Sequence, residues 1–186
     1  MKIDATPVEH GILGWNRAVN AGLYGAAATT ALMLVVRALG LSGLNLELFL
    51  GSMVTQTLGF GPWALGLGIH LVIGAGFGVA YAALMETFER SGSRAGLAIG
   101  AVHALLAGML LPLLGAAHPL VRSGSLPPPG PFAAGTGGAA PVVFILLHLL
   151  YGVIVGRTYV VLAPAAGEGA RAPQPGPRPP TVLRRG

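Results

Sequence analysis

The chain has 186 residues, of which 53% are apolar and only 9% charged, against about 25% charged in an ordinary globular domain. A soluble surface and an intrinsically disordered chain are therefore both excluded for most of its length. The absence of cysteine rules out disulfides and thiolate chemistry, and the net charge of +5 resides at the ends of apolar runs and near the C-terminus, not in the basic, aromatic-interleaved stripe that a nucleic-acid face needs.

Residues 1–16 carry Asp4, Glu9 and His10. They lack the basic start and small-residue cleavage site of a secretory signal, so the first span is expected to stay in the mature protein, with residues 1–16 as a short N-terminal segment before it. A membrane-crossing helix needs about 20 apolar residues. Four stretches meet this, 18–39, 62–85, 95–117 and 140–162, and predict an all-α integral membrane four-helix bundle over residues 17–162.

The connections differ in kind. Residues 40–61 contain Leu46, Leu48, Phe49, Leu50 and Met53, too apolar for a free loop and too broken for a span. They predict a short helix lying at the outer interface, with Phe60 and Trp63 in the aromatic belt. Residues 86–93 form a turn short enough to predict a tight antiparallel pair of spans two and three. Residues 118–139 include Pro127, Pro128 and Pro129 and predict an irregular, mobile outer loop. Residues 163–186 are dominated by Pro, Gly, Ala and Arg and predict a disordered cytoplasmic tail.

Basic residues assign the sides. Lys2, Arg17, Arg90, Arg94, Arg157, Arg171, Arg178, Arg184 and Arg185 fall on one side of these spans, and Arg37 and Arg122 on the other. This bias predicts a multi-pass protein of the cell's inner membrane with both termini cytoplasmic. Arg37 ends the first span, where it can snorkel outward.

Spans two and four share the pattern H-L-x-x-G-x-x-x-G-x-x-Y, from His70 to Tyr81 and from His148 to Tyr159. Residues four apart share a helix face, so Gly74 with Gly78, and Gly152 with Gly156, predict close helix packing. Spans one and three open alike, with Ala21-Gly22-Leu23 and Ala95-Gly96-Leu97. Two parallel helical-hairpin repeats, related by an axis along the membrane normal, account for both matches.

His70 and His148 fall at matching depths, His103 lies deeper, and His118 ends the third span. They predict a column from the outer surface toward the midplane. Three readings remain open for it: interhelical hydrogen bonding, a proton or metal-ion path through groups that titrate near neutrality, or haem b held by His70 and His148. Asp4, Glu9, Glu47, Glu86, Glu89 and Glu168 all read as lying at or beyond the span boundaries, so no buried acid marks a conventional pump. Thr29 and Thr30 read as helix-packing or back-bonding residues. The sequence contains no G-x-S-x-G, H-E-x-x-H or P-loop pattern. The expectation is a non-enzymatic membrane protein without a cofactor, either an accessory subunit or a small histidine-lined proton or metal conduit. The haem-binding, redox-linked protein is the alternative. The partners expected are the lipid bilayer and either further copies of the chain or a larger membrane complex, with no nucleic acid.

The run Asn45-Leu46-Glu47-Leu48-Phe49-Leu50-Gly51, the H-L-x-x-G-x-x-x-G spans and His118-Pro119 resemble small, uncharacterised bacterial four-helix inner-membrane proteins of the YagU-like kind, in outline over residues 17–162. The resemblance implies a link to acid tolerance and transfers no catalytic residue.

Overall fold

The computed structural model describes residues 11–159, with side chains from residue 14. The expected disordered tail lies outside them, as do the first ten residues of the expected N-terminal segment. Among the described residues the elements are helices α1 (Gly11–Ala38), α2 (Leu46–Thr55), α3 (Phe60–Thr87), α4 (Ser93–Ala117), α5 (Pro119–Arg122) and α6 (Ala140–Thr158), with a short 3₁₀ segment, Pro131–Thr136, before α6. Four of these, α1, α3, α4 and α6, are long and apolar enough to cross a membrane. Their apolar residues are spread around each helix with almost no polar face, as befits helices with few water-facing sides. The first begins at Gly11, so six residues expected in the N-terminal segment belong to it.

Two helix pairs are built on backbone contact. In α1 and α3, a Cβ on Gly22 would collide with the Gly74 carbonyl and the Gly78 Cα, and one on Gly78 with the Ala18 carbonyl. In α4 and α6, a Cβ on Gly96 would collide with the Gly152 carbonyl and the Gly156 Cα, and one on Gly156 with the Gly92 carbonyl. All four glycines of the H-L-x-x-G-x-x-x-G spans thus lie in helix seams. α1 also packs along α6, where the Tyr151 ring covers Gly25.

Spans two and three do not form the tight pair that their short turn predicts. α3 and α4 barely touch. Each spends its glycine face on a different partner, and a glycine seam buries more contact than a turn can impose.

α2 forms the short helix expected between the first two spans. It stands antiparallel to the first turns of α3, with Gly51 against the Pro62 carbonyl and Gly66 against the Glu47 carbonyl. The proline-rich loop, expected to be irregular and mobile, is irregular and packed against the bundle. Pro129 and Ala133 are buried, Phe132 covers Gly108, Pro129 covers Gly115, and the Gly43 amide donates to the Thr136 carbonyl. Prolines already fixed in φ lose little freedom on packing.

Candidate functional site

A cavity of about 520 Å³ lies inside the bundle, walled by α1, α2, α3, α4 and α6. Its wall residues Ile73 and Phe77 on α3, and Val102 and Leu106 on α4, are themselves exposed. It therefore opens sideways, through the gap between those two helices. Most of the lining is aliphatic or aromatic, and its polar side chains fall into two groups.

The outer group joins three elements. Asn45 caps α2 by accepting from the Leu48 amide, which places Glu47 in the first turn, where the helix dipole favours a carboxylate. The close approach of α2 to α3 then carries Glu47 inward until it is only 1% exposed. Thr30 Oγ1 donates to Glu47 Oε1 at 2.8 Å, and His70 Nδ1 lies 3.0 Å from the same hydroxyl and 3.7 Å from the carboxylate. Because the threonine proton goes to Glu47, His70 donates from Nδ1 to Thr30, and the neutral ring keeps its lone pair on Nε2. Glu47 Oε2 is buried with no hydrogen-bond partner. Burial alone raises this carboxyl. His70, the helix backbone and the Thr30 hydroxyl outweigh it and hold the group below its ordinary value of 4.5.

The inner group is built on rings. Tyr81 OH pairs with His103 Nδ1 at 3.1 Å, and Phe77 stacks on the His103 ring at 4.0 Å. His103 meets His148 edge-on at 4.7 Å. His148 Nδ1 donates to the Phe144 carbonyl at 2.8 Å, leaving its Nε2 as an acceptor. Tyr151 OH donates to the Gly74 carbonyl at 2.6 Å. Below the cavity, Tyr159 OH donates to Glu86.

The expected column is thus partly assembled. His70, His103 and His148 line one cavity, whereas His118 stands apart and corrects the expectation that it joins them. Its Nδ1 accepts from the Leu120 amide and caps α5, and its Nε2 donates to the Phe49 carbonyl at 2.9 Å. It is fully buried and ties α2 to the corner between α4 and α5. The sequence did hold a local signal for this role, since Pro119 directly after His118 marks a first helical position preceded by a cap. Glu47 reverses another expectation, being a buried acid rather than a boundary one. Thr29 and Thr30 divide the two roles expected of them: Thr29 back-bonds to the Gly25 and Ala26 carbonyls, and Thr30 bonds across to Glu47 of α2. Arg37 is partly buried, and its Nη1 has no hydrogen-bond partner.

Searches against family models, curated proteins and solved structures found no match to this chain.

Proposed function

We propose that this chain is a non-enzymatic, multi-pass inner-membrane protein that relays protons through its histidine-lined interior. Two parallel hairpin repeats form its body, α1 with α3 and α4 with α6, and the equivalent glycine contacts in the two pairs support that reading. The bias of Arg17, Arg90, Arg94 and Arg157 to one end supports cytoplasmic termini.

The observation that carries the relay is the placement of His70, His103 and His148 on one cavity, with a hydrogen-bonded carboxylate behind the first. Such a set holds protons at separate stations. Glu47, Thr30 and His70 form an outer station, where a proton moves between ring and carboxylate through one hydroxyl. His148, His103 and Tyr81 form the next. Imidazole suits the task because it gains and loses a proton near neutral pH.

Proteoliposomes containing an internal pH dye test the reading. Acidifying the outside is expected to acidify the lumen, and His103→Ala is expected to reduce the rate by about 100-fold, the lower end of what a positioned proton-transfer group contributes. Vesicles that stay tight on acidification would overturn the relay and leave the histidines as packing residues.

A further inference from the structure

The cavity has an unusual charge balance. Its wall contains one carboxylate, that of Glu47, and no lysine or arginine among the described residues. Half of that carboxylate, Oε2, is buried with no hydrogen-bond partner. Its nearest countercharge is His70 at 3.7 Å, which is positive only when protonated. The other titratable groups that face the cavity are His103 on α4, His148 and Tyr151 on α6 and Tyr81 on α3, none of which supplies a fixed positive charge. Arg37 of α1 lines a separate pocket beside Asn45 and Leu48. A negative charge withdrawn from water without a fixed partner attracts a cation.

The remainder of the wall specifies what kind of cation. Phe77, Tyr81, Phe144 and Tyr151 present aromatic rings, which attract positive charge over their faces. The aliphatic remainder suits an apolar body and repels a hydrated metal ion. The volume, about 520 Å³, lies within the range of about 300–1,000 Å³ typical of small-molecule sites. The opening between α3 and α4 faces sideways, toward the bilayer in the membrane reading.

We propose that this cavity binds a lipophilic monovalent cation, a protonated amine or quaternary onium on an apolar body, entering sideways between α3 and α4 with Glu47 as its counter-ion. The proposal rests on the relay reading in one respect: it uses the same Glu47–His70 pair. A proton on His70 and a cation in the cavity then compete for one negative charge.

Equilibrium binding of tetraphenylphosphonium to the purified chain in detergent tests this, with triphenylphosphine oxide as an uncharged comparator. The phosphonium is expected to bind at least about tenfold more tightly than the oxide, the preference of a cation-accepting site for the charged probe. Glu47→Gln is expected to lose this preference and Glu47→Asp to keep it. Equal binding of the two probes overturns the proposal, as does full phosphonium binding by a Glu47→Gln protein that melts like the wild type. If Glu47→Gln does not fold, the wild-type comparison of the two probes decides alone, and equal binding of phosphonium and oxide overturns the proposal. No flux is read in detergent, so failure here leaves the relay standing, and tight vesicles in the flux assay leave this binding site standing.

Discussion

Glu47 and His118 show how much a single side chain's role depends on where its element folds. In the sequence both stand beside apolar runs, and nothing local separates an acid on an outer loop from one carried inward by α2. The inward path depends on the match of Gly51 to Gly66, a contact between residues 15 apart that no helical periodicity announces. The Glu47 carboxyl is held below 4.5, so it stabilises the fold fully above its unfolded pKa. That stability is lost as pH falls through the lower folded value. Denaturant unfolding in detergent is therefore expected to show wild-type stability declining below about pH 4.5. Glu47→Gln is expected to start about 1–3 kcal/mol lower, the scale of a buried hydrogen bond to a charged group, and to stay flat across that window. His118→Ala removes a helix cap and leaves the Phe49 carbonyl short of a donor. A cost of about 2–4 kcal/mol is expected from those two losses, with proton flux in the surviving folded protein unchanged. A flux loss matching that of His103→Ala would return His118 to the relay.

At the scale of elements, the four long helices and their glycine faces were legible because both depend on local quantities, apolar length and a spacing of four. The seams also dictate which substitutions the helices tolerate. Gly22→Leu and Gly96→Leu each drive a side chain into a facing backbone that cannot move aside, and each is expected to destabilise by at least about 3 kcal/mol, the upper range for overpacking. Gly68→Ala, in the same helix as Gly74 but with open space around its Cα, is expected to be neutral or slightly stabilising. Thermal melts of the three variants check the contrast, and a Gly22→Leu protein melting with the wild type would dissolve the seam. What the sequence left unread was competition between elements. A short turn favours pairing α3 with α4, but their glycines commit them elsewhere. A triple proline favours an open loop, but Gly108 and Gly115 of α4 leave shallow places for Phe132 and Pro129 to fill.

At the scale of the whole molecule, sidedness has a direct test, because the cysteine-free chain accepts single reporters. Ser125 and Ser91 are both exposed and lie at opposite ends of the bundle. In intact cells a membrane-impermeant thiol reagent is expected to label Ser125→Cys, and to reach Ser91→Cys only after permeabilisation; the reverse pattern inverts the orientation. The cavity was not legible at this scale, because it arises from an inequality between two seams that the repeat would make equal. α1 packs along α6, whereas the equivalent α3 and α4 stand apart. The molecule is in effect a book, with each glycine-sealed hairpin a stiff cover, the α1–α6 seam a spine and the α3–α4 gap the fore-edge. Such a geometry confines the weak contacts to the fore-edge and leaves both pairs of covers sealed. The clasp across that edge is the His103 ring, held by Phe77 and Tyr81. On the proposed relay, the side chain that holds a proton is thus also the one that bridges the fore-edge, so a substitution at His103 bears on both.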